Sequence, residues 1–72
     1  MVNINKLKGK IVENGLTIEK LADKINIDRS TLYRKINHDG ETFTIKEANL
    51  IAKTLKLTTD DVNSIFFNQV VA

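Results

Sequence analysis

From Val2 to Phe66 the chain repeats one local pattern five times: an apolar residue, a short polar residue, then a second apolar residue four positions beyond the polar one. The five instances are Val2-Asn3 with Leu7, Leu16-Thr17 with Leu21, Ile27-Asp28 with Leu32, Phe43-Thr44 with Ala48 and Leu57-Thr58 with Val62. This is the form of a helix entry, in which the polar side chain caps free N–H groups and the flanking apolar pair staples the first turn. Five helices are therefore expected. Thr44 with Glu47 completes a capping box, and Thr58 with Asp61 is a weaker version that also sets acid against the helix dipole. In the fourth helix Ile45, Ala48, Ala52 and Leu55 predict a continuous buried stripe. No segment before residue 65 alternates as a strand does.

Between Thr17 and Asn37 two of these helices follow each other closely. Leu21, Ile25, Leu32 and Ile36 lie at i, i+4 spacing on either side of a short turn, so both helices offer a stripe to one core. Ala22 lies where they cross, and its small side chain lets the backbones approach. Asn26 stands where the chain leaves the first helix, and Asn tolerates the left-handed conformation needed there. Ile27 drops back into the core, and Asp28 caps the second helix.

These residues carry a family resemblance. Leu21-Ala22, Asn26-Ile27 and Leu32, with the spacing between them, resemble the helix-turn-helix regulators similar to phage Cro and lambda-type repressors. Lys6-Leu7-Lys8-Gly9-Lys10-Ile11-Val12 and Ile65-Phe66-Phe67 look like the termini of short phage Cro-like repressors. The resemblance covers nearly the whole chain. It implies an all-α, five-helix lambda-repressor-like domain over residues 1–66 with the motif at 17–37, which leaves a C-terminal tail over 67–72. Two positions depart from the family pattern: Asn26 stands where many members have Gly, and Lys35 where many have an apolar residue, so Ile36 supplies that core contact.

By the same resemblance the helix 28–37 lies in the major groove, its N-terminal half toward base edges. With Leu32 and Ile36 inward, the outward face carries Arg29, Ser30, Tyr33, Arg34 and Asn37. Arg29, Ser30, Tyr33 and Arg34 are the base-contact candidates, since arginine can donate two hydrogen bonds to guanine O6 and N7. Arg29, in the first turn, also suits a phosphate. Tyr33 has three uses open to it: a thymine methyl, a phosphate, or packing on its own domain. Thr17, Lys6, Lys10, Lys20, Lys35, Asn37 and His38 are the phosphate-contact candidates; for Thr17 the reason is the helix start it caps. For each lysine a solvated role is the plainer alternative. In the loop after the second helix Asp39 and Glu41 would repel a backbone, so contact there falls to Asn37, His38 and backbone N–H groups.

Composition sets limits on the alternatives. Seventy-two residues make one domain that buries about 60% of the surface its unfolded chain exposes, so its stability is modest unless it oligomerises. There is no Cys, so disulfides and thiolate metal sites are excluded, and His38 is the lone His. No apolar run reaches the ~20 residues of a membrane span. Catalysis, metal and cofactor are not expected: Asp60-Asp61 reads as first-turn acid, Ser30-Thr31 has no nearby base, and no Gly-rich phosphate loop is present. The net charge is +2 with a pI of about 9.0. Residues 1–35 hold eight Lys and Arg against four acids, a net of +4, and residues 36–72 hold three against five, a net of −2. The half that carries the motif carries the positive field.

The glycines are three, and there is no Pro. Gly15 fits the end of the first helix and Gly40 a turn after the third. Gly9, inside the first helix, costs about 1 kcal/mol relative to Ala unless close packing or a frayed turn accounts for it.

The expectation is a double-stranded DNA operator as partner, with a homodimer formed at least on DNA. Phe67, Val70 and Val71 are left over once Val62, Ile65 and Phe66 complete the fifth helix. They suit either a two-fold interface, with a strand pairing to its mate, or a fold-back on their own domain. The compartment expected is the cytoplasm of a bacterial cell or phage-infected host, with no membrane association. A protein-interaction module acting through the apolar tail or the acidic half is the alternative. RNA binding is disfavoured because no exposed aromatics stand in basic surroundings.

Overall fold

The computed structural model describes residues 2–37 and 43–66, and over them the chain is all helical. The helices are α1 (Ile4–Glu13), α2 (Ile18–Ile25), α3 (Arg29–Asn37), α4 (Ile45–Thr54) and α5 (Thr59–Phe66). Each starts where a cap was expected. Asn3, Thr17, Asp28, Thr44 and Thr58 accept hydrogen bonds from the backbone N–H groups of Lys6, Lys20, Thr31, Glu47 and Asp61, at 3.0 to 3.2 Å. Both reciprocal boxes form: Glu47 Oε1 accepts from the Thr44 N–H at 2.9 Å, and Asp61 Oδ2 accepts from the Thr58 N–H at 3.2 Å. Asp61 therefore closes its box as fully as Glu47 does, despite one methylene less.

Three of the helix ends share one construction. At the end of α1 Gly15 turns left-handed at φ 72°, its N–H donates to Val12 O at 2.8 Å, and the Leu16 N–H donates to Ile11 O at 3.0 Å. After α2 the same pair runs from Asn26 (φ 60°) to Asp23 O and from Ile27 to Ala22 O. After α4 it runs from Lys56 (φ 54°) to Lys53 O and from Leu57 to Ala52 O. This is the Schellman closure. In all three, the apolar residue that completes it is also the staple residue of the next helix.

The core is built from Leu7, Ile11, Leu21, Ala22, Ile25, Leu32, Ile36, Ile51, Leu55 and Ile65, all nearly inaccessible. Helix α2 packs on α3 and α4, and α5 packs on α1 and α4. The start of α1 meets the last turn of α5 where the Asn3 N–H donates to Ile65 O at 2.7 Å. The Asn14 side chain donates to Lys10 O and Leu55 O, tying the ends of α1 and α4. Phe43 and Phe66 meet edge to face with centroids 6.0 Å apart. Among the described residues no helix is long and apolar enough to cross a membrane.

Two expectations are corrected here. Ile45 is 72% exposed, and Ile51 occupies the core with Ala48 and Leu55. The spacing 48, 51, 55 is as helical as 45, 48, 52, and Ile45 lies on the side of α4 that the described core does not cover. Gly9 is exposed, lies in the middle of α1, and a Cβ built on it meets nothing within 4 Å. Neither close packing nor fraying accounts for it. The turn expected at Gly40 and the tail beyond Phe66 lie outside the described residues.

Two substitutions test this account of the backbone. Gly9→Ala should raise stability by about 1 kcal/mol, since it removes unfolded-chain freedom and meets no atom. Lys56→Gly should also stabilise, by up to about 1 kcal/mol, by relieving the left-handed strain on a side-chain-bearing residue. Thermal unfolding reads both, because 1 kcal/mol moves the midpoint of a domain this size by roughly 4–8 °C.

Candidate nucleic-acid interface

Helix α3 is fixed to the domain by a small number of contacts. Asp28 caps it, Leu32 and Ile36 bury its inner face against the core, and Asn37 Nδ2 donates to Tyr33 O at 2.8 Å near its end. The remaining side chains of the helix divide between an open face and its flanks. Arg29, Ser30, Tyr33, Arg34 and Asn37 are exposed, and Thr31 and Lys35 lie half-buried at the flanks. Tyr33 is 54% exposed, which leaves all three of its expected uses in place.

Arg29 is held from the neighbouring helix. Its Nε donates to Asp23 Oδ1 at 3.0 Å and its Nη2 to Asp23 Oδ2 at 2.6 Å, a two-point contact across the turn. Those hydrogen bonds, aided by the charge of Arg29, keep the Asp23 carboxyl below its ordinary range despite some desolvation. The same contact raises Arg29 in turn. Arg34 forms no ion pair among the described residues, so its guanidinium is available to a ligand.

The expected phosphate-contact residues divide. Thr17 and Lys20 stand exposed at the start of α2, and the Lys20 ammonium has no ion-pair partner among the described residues. Lys6 and Lys10 instead converge on Asp61, at 3.7 and 3.6 Å; Lys6 also donates to Ser64 Oγ, and Lys10 lies 3.5 Å from Glu13. The Asp61 carboxyl sits below its ordinary value, first because the Thr58 backbone N–H donates to it and further because of these two lysines. Lys35 is drawn inward more strongly. Its Nζ lies 2.8 Å from both Glu47 carboxylate oxygens and 5.8 Å from the Phe43 ring centroid, with only 15% of its side chain accessible. Its stem takes the place of an apolar residue and its charge is turned toward α4, not outward to a phosphate. Burial disfavours ionised Glu47, but the hydrogen bonds from Lys35 and Thr44 outweigh it, and its pKa is lowered. His38, like the tail residues Phe67, Val70 and Val71, lies outside the described residues.

Residues that sequence reasoning passed over also stand here. Lys24 is exposed one helical turn beyond Lys20, where i, i+4 spacing on α2 could have found it. Asp23, the partner of Arg29, lies six residues away across a turn, a separation that no helical periodicity marks.

Residues 6–67 match the model of the Cro/C1-type HTH DNA-binding domain. The chain belongs to that family. No curated protein and no solved structure matches it. A Cro/C1-type domain is a DNA-binding module, and the match takes in the helix-turn-helix of α2 and α3 entire. This chain is thus a DNA-binding regulator of helix-turn-helix type.

Asp23, Asp61 and Glu47 all have folded pKa values below their ordinary 3.8, 3.8 and 4.5. Above those ordinary values the groups are ionised in both states and their stabilisation is fully present. As pH falls through the lower folded values, the folded state must take up protons at groups that resist them, and the stabilisation is lost. The unfolding midpoint should therefore hold from neutral pH to about 5 and fall below about 4.5, with little of the fall from Asp23, whose exposed pair is screened by solvent. Glu47→Gln should flatten part of that fall and cost roughly 1–3 kcal/mol at pH 7, because it removes the ionised carboxylate that accepts from both the half-buried Lys35 ammonium and the Thr44 N–H.

Proposed function

We propose that this protein is a sequence-specific transcriptional regulator, a Cro-like repressor of a phage or prophage, which occupies a DNA operator and blocks polymerase. What carries the reading is the solvent face of α3. Arg29, Ser30, Tyr33 and Arg34 lie together on a capped helix of a Cro/C1-type domain, and none of them is needed for the core. In this proposal α3 enters the major groove, with Arg34 and Arg29 donating to base edges and Ser30 and Tyr33 beside them.

Thr17, Lys20 and Asn37 flank that face and contact phosphates, which positions the helix without reading sequence. Lys6 and Lys10 join them only by leaving Asp61. One such domain reads one half-site, so a homodimer on a two-fold operator follows, with the tail residues Phe67, Val70 and Val71 as its proposed contact. The proposed compartment is the cytoplasm of the bacterial or infected cell, where that DNA lies.

Selection of duplexes from a random pool by the full-length chain tests the reading. A consensus with two-fold symmetry is expected, with affinity falling as salt rises because cations are released from phosphates. Arg34→Ala should weaken binding to the selected duplex by about 1–3 kcal/mol and relax preference at one base pair of each half-site. Lys20→Ala should weaken binding to all sequences alike and reduce the salt slope by about one. Recovery of no consensus would replace this function with a protein-interaction role.

A further inference from the structure

Arg29 is the first residue of α3, where a cation faces the positive end of the helix and gains nothing from it. What holds its side chain is Asp23 of α2. The carboxylate takes the Nε–H and one Nη2–H, at 3.0 and 2.6 Å, and so occupies one edge of the planar guanidinium. Five N–H groups are present on arginine, so three remain. Two of these, one on Nη1 and one on Nη2, form the end edge of the fork, which is the edge that matches guanine O6 and N7 or a phosphate. A free arginine on a helix surface samples many rotamers, and ordering it on binding opposes affinity. Arg29 is already ordered, by a residue on a different helix of the motif.

We propose that Asp23 is a specificity-determining positioning residue, which clamps Arg29 so that the free edge of its guanidinium is preset for a guanine at the α3 face. This rests on the reading of α3 as the recognition helix. Asp23 itself does not touch the base. Its carboxylate would repel the DNA backbone if bare, and Arg29 neutralises it, so the pair meets DNA as a unit with its remaining donors forward.

Three variants of the full-length chain, with duplexes carrying single base-pair changes from the selected consensus, separate the possibilities. Arg29→Ala should abolish preference at one base pair. Asp23→Asn should lower preference at that same base pair about tenfold, leaving affinity for unrelated duplex unchanged or raised because a negative charge is gone. Glu19→Gln, which removes a carboxylate near Arg29 that makes no hydrogen bond to it, should raise affinity for all duplexes alike and leave preference as it was. Asp23→Ala takes away the same carboxylate and should behave as Asp23→Asn does. The Asp23–Arg29 pair is exposed, so thermal unfolding of both Asp23 variants should stay near that of the parent.

Preference retained in Asp23→Asn but lost in Arg29→Ala would overturn the clamp and leave the recognition helix standing. Preference gained in Asp23→Asn would overturn it too, since Asp23 would then be competing with DNA for Arg29. Unchanged preference in both Arg29→Ala and Arg34→Ala would overturn the placement of α3 itself, and the clamp with it.

Discussion

The arrangement of this domain depends on one apolar residue placed between the left-handed end of one helix and the cap of the next. Leu16, Ile27 and Leu57 each donate the backbone hydrogen bond that closes the preceding helix, and each packs against the common core. Each also precedes the capping residue of the following helix: Thr17, Asp28 or Thr58. A single half-buried residue thus satisfies the backbone at one helix end with its N–H and, with its side chain, sets the entry angle at the other. Three connections of three or four residues then leave little freedom between helices, which helps a 72-residue chain keep a defined shape around a small core.

This construction explains why so much of the fold can be read along the chain. Caps, staples and left-handed residues act within a few positions of one another, so Gly15, Asn26 and all five entries are visible as local chemistry. Lys56 performs the same task as Gly15 and Asn26 but carries no such signal, because its conformation is imposed by the closure and by the packing of the half-buried Leu57 on the core. The stripe of α4 was ambiguous for a different reason. Ala48 and Leu55 belong to two equally helical sets, and only the neighbours of α4 decide that Ile51 is covered and Ile45 is not.

Charge was the least legible feature, since it is settled by contacts between distant segments. A tally by halves gives the motif half a net of +4, yet Asp61 and Glu47 of the acidic half reach across to Lys6, Lys10 and Lys35. Those pairs withdraw cations from the free surface and place them in seams between α1 and α5 and between α3 and α4. The cations left without ion-pair partners around the motif, among the described residues, are Lys20 and Lys24 on α2 and Arg34 on α3. Within the motif the unpaired positive charge is therefore narrower than composition implies, and it lies on the two helices α2 and α3.

A narrow field on a rigid frame has a mechanical consequence. The angle between α2 and α3 is set by Asn26, Ile27 and Asp28, and the same two helices are joined at the surface by Asp23 and Arg29. Lys35 fixes the far side of α3 to the capping box of α4 through Glu47. The helix is therefore held near its start and along its flank before any ligand arrives, and little backbone ordering remains to oppose binding. In the proposed reading, discrimination then falls to the few side chains that the frame leaves exposed, among them Arg34, which forms no ion pair among the described residues, and Arg29, which Asp23 holds.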